Sequence, residues 1–230
     1  MKKSKNECDI KSCFMCSNCL KQWHPAIAAN KVNLKVKRGE VIFKAGDEVK
    51  GVYFVYEGAI KVHKQWGPDK ELIIRFASRG AILGHRAPGG DNFYPISATA
   101  LTDGIICFVN IDFFESTLRV NTDLTYNLML FLANELLESE KKMRNLAHMP
   151  VKGRVAQALI SLRDQFGKNE DGSINIDLSR QDLASYAGAT YETVFRVLNE
   201  MLKENLLKTS GKRIIINNRE KLLELTAEAL

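Results

Sequence analysis

Between about residues 32 and 110, apolar and polar positions alternate in short runs, and a turn signal interrupts them at roughly ten-residue intervals. The signals are Arg38-Gly39, Ala45-Gly46-Asp47, Glu57-Gly58, Gly67-Pro68-Asp69, Arg79-Gly80, Pro88-Gly89-Gly90 and Asp103-Gly104. Between them Val52/Phe54/Tyr56, Ile60/Val62, Leu72/Ile74/Phe76 and Ile105/Cys107/Val109 each share one face of a strand, because side chains alternate across a pleat. Strands of this length and spacing predict an antiparallel barrel or sandwich.

After Asn110 the period changes. A stretch without Pro or Gly from Thr122 to about Ala147 predicts one long helix, and Met129, Leu132, Leu136, Ser139, Met143 and Leu146 recur at steps of three and four. That is the spacing of a coiled-coil seam, so a homodimer is expected; the alternative is a stripe that covers the barrel. Pro150 ends the run. A second helix starts near Val151 with Val151, Val155, Ala158, Leu159, Leu162 and Phe166 on one face, and a polar loop follows over Lys168 to Ser173.

The remaining pattern is more specific. A short strand is predicted over Ile174 to Leu178. Ser179-Arg180-Gln181-Asp182 then has the form of a capping box, which starts a helix at Arg180 that Gly188 stops. Thr190 caps a further helix, Tyr191 to about Asn205, leaving the short Gly-containing turn of a helix-turn-helix. Val194, Val197, Leu198, Met201 and Leu202 form its buried stripe, so Glu192, Phe195, Arg196, Asn199 and Lys203 face outward. A carboxylate and a guanidinium one turn apart suit the cytosine N4 and guanine O6/N7 edges of a major groove, and Phe195 suits a thymine methyl. The hairpin Leu206 to Ile216 turns at Ser210-Gly211 and carries Lys208, Lys212 and Arg213, as a phosphate-facing wing would. Ser179, Arg180, Gln181, Thr190 and Lys212 complete the expected DNA-facing set. The other reading is a protein-binding winged helix in which Glu192 and Arg196 pair on the surface.

Composition narrows the class. The chain has 230 residues, 45% of them hydrophobic, enough for a core, and a net charge of +6. Residues 1–50 hold 11 Lys+Arg against 5 Asp+Glu, residues 51–150 hold 10 against 11, and residues 151–230 hold 12 against 11. Bulk charge therefore does not single out the C-terminal part, and DNA binding there has to rest on local placement. No apolar run approaches the ~20 residues of a membrane helix, and the N-terminal lysines are not followed by an apolar signal region, so a cytoplasmic protein with no membrane partner is expected. No nucleophile, base and oxyanion donor converge, and His24, His63, His85 and His148 are scattered, so no enzyme is expected.

Four of the five cysteines, Cys8, Cys13, Cys16 and Cys19, fall within twelve residues, and Cys107 stands apart. A reducing compartment disfavours a disulfide framework. Soft thiolates at this density suit an iron-sulfur cluster, a zinc site or redox-active thiols, while Cys107 between Ile105 and Val109 also reads as an inert core thiol.

The chain resembles the Crp/Fnr transcription regulators over nearly its whole length. Phe43-Lys44-Ala45-Gly46-Asp47-Glu48, Tyr53 through Gly58 with Ile60-Lys61, Gly153-Arg154-Val155-Ala156, Leu178 through Ala184, and Glu192-Thr193-Val194-Phe195-Arg196 carry the likeness. The resemblance implies an α+β protein: a cysteine-rich segment (1–31), a cyclic-nucleotide-binding-like antiparallel β-barrel or jelly roll as sensor (32–115), a long dimerisation helix (116–149) and a winged helix-turn-helix (150–230). It also implies a two-fold symmetric double-stranded operator and RNA polymerase as partners, the latter near the hairpin Gly67 to Glu71.

In the cyclic-nucleotide branch a Gly-Glu pair holds the ribose and an Arg-Ser/Thr pair the phosphate. Here the stretches read Gly84-His85-Arg86 and Tyr94-Pro95-Ile96-Ser97. Both key residues are missing, so cyclic AMP is not expected; His85 reads as a polar barrel residue and Arg86 as the nearby cation left for an anion. The cysteines resemble the oxygen-sensing Fnr branch. That likeness implies a [4Fe-4S] cluster on Cys13, Cys16, Cys19 and Cys107 with Cys8 spare, whose loss to oxygen or nitric oxide relaxes the N-terminal segment and weakens the dimer. Cys16-x2-Cys19 replaces a longer gap in that branch, so a set of Cys8, Cys13, Cys16 and Cys19 stays open. The alternative function is a Crp-like regulator answering another small ligand in the barrel, with no cluster.

Overall fold

The computed structural model describes residues 1–4, 10–67, 70–86 and 92–227. Cys8 and the turn Pro88-Gly89-Gly90 lie outside the described residues, as do Pro68 and Asp69 of another turn. The chain divides into two compact units, residues 1–64 with 74–136 and residues 65–73 with 137–230.

In chain order the elements begin with β1 (Lys2–Ser4), α1 (Phe14–Asn18), a single 3-10 turn (Lys21–Trp23) and α2 (His24–Asn30). The barrel strands follow: β2 (Lys31–Val36), β3 (Val41–Phe43), β4 (Gly51–Glu57), β5 (Ile60–Trp66), β6 (Lys70–Ala77), β7 (Ile82–Leu83), β8 (Ser97–Ala100) and β9 (Gly104–Asn110). They form an antiparallel five-stranded sheet in the order β1-β2-β9-β4-β7 and a four-stranded sheet in the order β3-β8-β5-β6. Then come α3 (Ile111–Val120), α4 (Thr122–His148), α5 (Val151–Phe166), α6 (Arg180–Ala187), α7 (Tyr191–Lys203), the hairpin β10 (Leu207–Ser210) and β11 (Arg213–Ile216), and α8 (Arg219–Glu224). An α+β architecture with an antiparallel barrel, a long helix and a winged helix-turn-helix is therefore what these residues form.

Two cores occupy the first unit. Tyr53 and Val55 of β4 and Ile106 of β9 meet Phe43, Ile60, Val62, Leu83 and Tyr94 inside the barrel. Val52 and Phe54 of β4 and Val109 of β9 face the opposite way, against Met15, Ile27, Phe114, Leu124 and Leu128. Alternation alone under-reads β4, which buries both faces because helices and the N-terminal segment cover its outer side. Leu72, expected to share an apolar face with Ile74 and Phe76, is instead exposed.

The N-terminal segment is bonded to that outer layer. The Phe14 amide donates to Gly80 O at 3.0 Å, Leu20 N donates to Asn121 Oδ1 at 2.9 Å, and Trp23 Nε1 donates to Thr117 Oγ1 at 3.1 Å while its ring stacks on Phe113. Gly80 lies at φ 88°, and a Cβ there would sit 2.2 Å from Ser12 O, so only glycine admits the segment this closely.

Three further expectations are corrected. The long helix starts at Thr122 as its pattern indicates, but the preceding residues grouped with it from 116 belong to a separate helix, α3, which Asn121 C-caps. No strand forms over residues 174–178; Ile174 and Ser173 make only isolated bridges to Lys168 and Ile215, because Ile174 N already donates to Ile214 O of the wing and the chain then turns toward Ser179. α7 ends at Lys203, two residues earlier than the pattern suggests, with Asn205 at φ 57° reversing the chain into β10.

Candidate nucleic-acid interface and sensor site

Local chemistry sets the helix-turn-helix. Ser179 Oγ accepts from Asp182 N at 3.0 Å and starts α6, and Thr190 Oγ1 accepts from Thr193 N at 3.3 Å and starts α7. Gly188 closes α6 in the left-handed region at φ 63°, where a Cβ would lie 2.3 Å from Leu146 Cδ2. Arg154 of α5 fixes this turn: Nε donates to Ala187 O at 2.9 Å, Nη2 to Gly188 O at 3.2 Å and Nη1 to Met149 O at 2.8 Å.

Val194, Val197, Leu198 and Met201 are buried under α7, while Glu192, Phe195, Arg196, Asn199 and Lys203 are exposed on its other side. Ser179, Gln181, Thr190 and Lys212 are exposed too, and Arg180 is half-buried beside Phe195 and Asn199 in a shared recess. Sequence reasoning missed Tyr191. Its ring, 42% exposed, stacks on Phe195, 52% exposed, with centroids 6.2 Å apart and planes 14° from parallel. The signal was the i, i+4 aromatic spacing.

Arg196→Ala is expected to cost ~1–3 kcal/mol of affinity for a site selected from random DNA and to relax preference at one base pair. Titrating the variant against that site and its single-base variants checks it; unchanged base preference would remove Arg196 from base reading.

The cysteines lie in the outer core of the first unit. Cys13 is the N-cap of α1, Cys16 is buried within it at 4% exposure, Cys19 is its C-cap, and Cys107 sits on β9 opposite Phe54. All four belong to or pack against the same apolar cluster, and Cys13 and Cys107 line one cavity. Burial, reinforced by the charge of Cys13, pushes the Cys19 thiol up to about 11, so it stays protonated at neutral pH unless a metal displaces the proton. Among the described residues no three His, Cys, Asp or Glu side chains already converge as a metal site. In donor type the thiols suit a cluster, being soft donors that pack against one apolar layer of the barrel. Cys8 lies outside the described residues.

The second polar centre is one that sequence reasoning reduced to Arg86. Oε2 of Glu135 on α4 accepts from His85 Nε2 at 2.8 Å and from Arg86 Nη2 at 3.0 Å, and Arg75 Nε lies 2.8 Å from Oε1 as an ion pair without hydrogen-bond geometry. Arg75, from β6, is thus a second cation there, and His85 is a partner to the carboxylate rather than a passive barrel residue. Burial alone would raise the Glu135 pKa, but the His85 hydrogen bond and the charges of Arg75, His85 and Arg86 outweigh it and hold the carboxyl at about 2. Burial keeps the His85 imidazole below its ordinary pKa, against the pull of Glu135.

Barrel, long helix and winged helix-turn-helix with an outward Glu/Arg face define a DNA-binding transcription regulator, and comparisons with known proteins agree. Residues 33–121 match the family described as cyclic nucleotide-binding domain, and residues 153–225 match the Crp-like helix-turn-helix domain. The anaerobic regulatory protein of Bacillus subtilis is 30% identical over 193 residues, covering 82% of this chain and 81% of its own. The fumarate and nitrate reduction regulatory protein of Vibrio cholerae is 28% identical over 192 residues, covering 83% of this chain and 76% of its own. Among solved structures FixK2 from Bradyrhizobium japonicum superposes with a TM-score of 0.76 at 25% identity, over 87% of this chain and 99% of that one. The chain belongs to the Crp/Fnr family of regulators. Its relatives regulate transcription rather than catalyse reactions, and no helix among the described residues is long and apolar enough to cross a membrane.

Proposed function

We propose that the chain is a homodimeric regulator that reads a two-fold symmetric DNA site with α7, engages RNA polymerase, and reports oxygen, nitric oxide or redox state through its N-terminal cysteines. The observation that carries the sensing half is one contact: Phe14, the residue after Cys13, packs on Phe131 of α4 with ring centroids 5.4 Å apart. The cysteine segment therefore rests on the helix that carries the apolar seam. The names of the Vibrio and Bacillus relatives, a fumarate and nitrate reduction regulator and an anaerobic regulator, support the same reading.

Along α4 the residues Met129, Leu132, Leu136 and Met143 are all exposed, joined by Tyr126, Leu130 and Leu137. An apolar band this long on one helix is the mark of an interface, and a second copy of α4 meets it in kind. On the DNA, Glu192, Phe195, Arg196 and Asn199 address base edges; Lys203, Lys212 and the helix starts at Ser179 to Gln181 and Thr190 address the backbone. The proposed segments are residues 1–31, 32–115, 116–149 and 150–230.

A [4Fe-4S] cluster on Cys13, Cys16, Cys19 and Cys107 would supply a group labile to oxygen and nitric oxide. The chain's own part is positional. Gly80 and Asn121 hold the cysteine segment on the barrel and at the start of α4, and Phe14 links it to Phe131. A switch requires that the held and released segments favour the dimer differently.

The test is to purify the protein without oxygen, assay iron and sulfide, and record the visible spectrum before and after air. Iron and sulfide with an air-sensitive absorption, lost in Cys13→Ser together with DNA affinity, is the expected result. A colourless, iron-free protein that binds DNA equally with or without Cys13 would shift the reading to a Crp-like regulator with another barrel ligand.

A further inference from the structure

The cations at the barrel mouth are arranged as a binding site, and the site is already filled from within the chain. Arg75, His85 and Arg86 line the same barrel cavity as Phe43, Tyr94 and Ile96. The His85 side chain is 2% exposed and that of Arg75 22% exposed. Two guanidinium groups held this close repel one another and are costly to bury without an anion. Among the described residues one carboxylate answers them, that of Glu135, whose side chain is 11% exposed; Oε2 accepts from His85 and Arg86, and Oε1 is met by the charge of Arg75. Arg75 is additionally fixed by donating Nη2 to Ile82 O at 2.7 Å. Arg75 is thus placed by the barrel, and the anion arrives on α4.

One turn before Glu135 on α4, the Phe131 ring takes the guanidinium of Arg75 at 6.0 Å and the edge of His85 at 5.1 Å. It also takes Phe14. The same stretch of helix is gripped by the barrel through charge and by the cysteine segment through an aromatic contact.

We propose that Arg75, His85 and Arg86 form a carboxylate-binding site in the barrel and that Glu135 is its resident ligand, so that the barrel is locked to α4 without a diffusible effector. The site recognises a carboxylate through the Nε and Nη2 donors of Arg86 and the imidazole N–H on one oxygen, and through the charge of Arg75 beside the other. Removing the Glu135 side chain leaves Arg75 held on Ile82 O and vacates the space of a short-chain carboxylic acid. The inference stands independently of the cluster and of the dimer.

The test uses the full chain with Glu135→Ala, and sodium propionate as the probe. The variant is expected to melt on the order of 10 °C below wild type, since it leaves buried cations unpaired. Millimolar propionate should raise its Tm saturably, while sodium chloride or propionamide at equal concentration should not. Wild type, with the site filled, and the double variant Glu135→Ala/Arg75→Met should show no such response. A Glu135→Ala protein that melts like wild type, or one that melts lower and ignores propionate, overturns the proposal. Should that variant not accumulate folded, Glu135→Gln, Arg86→Gln and their combination give a second readout. The double variant is expected to melt no lower than the worse single one; strictly additive losses would overturn the proposal as well.

Discussion

If α4 is the dimer seam proposed above, Leu136→Glu is expected to shift the protein from dimer to monomer and to lower operator affinity roughly 10²–10⁴-fold. Leu136 is 61% exposed on α4 in the single chain, with Leu132 one turn away. A side chain that exposed contributes little to folding of its own subunit, so the substitution leaves each unit folded. Across a two-fold seam, however, one glutamate becomes two facing carboxylates in an apolar contact, which is costly to bury. A two-fold operator gains its affinity by holding two readers at once, and separating the subunits forfeits that effective concentration. Sedimentation equilibrium gives the state and anisotropy on a selected duplex gives the affinity. A variant that remains dimeric would remove this face of α4 from the interface.

Gly80→Ala is the second large effect, and Gly39→Ala is its control. Both glycines have positive φ, 88° and 82°, so alanine costs about 1–3 kcal/mol of backbone strain at either. They differ in what the new methyl meets. At Gly39 there is nothing within 4 Å, whereas at Gly80 it falls 2.2 Å from the backbone oxygen of Ser12. A backbone atom cannot rotate aside, so residues 10–14 have to leave and the bond from Phe14 N to Gly80 O goes with them. Hydrogen exchange should show the amides of α1 and α2 losing protection in Gly80→Ala and keeping it in Gly39→Ala, although both melt lower. If the cysteine segment regulates DNA binding, only the first should change operator affinity. Equal protection in the two variants would mean that the segment is not held through Gly80.

The C-terminal reader was legible because its signals are local. Ser179, Gly188 and Thr190 each act within a few residues of themselves, and the period of α7 separates Val194 and Met201 from Glu192 and Arg196 without reference to the rest of the chain. The barrel was legible as a class for the same reason, since turns and alternation are short-range. What escaped the pattern was set by distant partners. That β4 is buried on both faces depends on helices contributed by residues 14–30 and 111–128. That His85 and Arg86 serve a carboxylate depends on a residue some 50 positions away. The i, i+4 pair Tyr191 and Phe195 lay within reach of sequence reasoning, but a stacked exposed pair differs from two separate rings only in its rotamers. The cysteine spacing gave the donors; their placement, with Cys13 and Cys107 on one cavity, required the fold.

Cys107 and Phe108 are consecutive residues of β9, and the pleat sends them to opposite sides of one sheet, the thiol toward the N-terminal helices and the ring toward the barrel lining. The strand is therefore a membrane of single-residue thickness between two compartments. If position 107 takes part in sensing, as proposed, the event lies one peptide bond from the residue that lines the inner chamber at position 108.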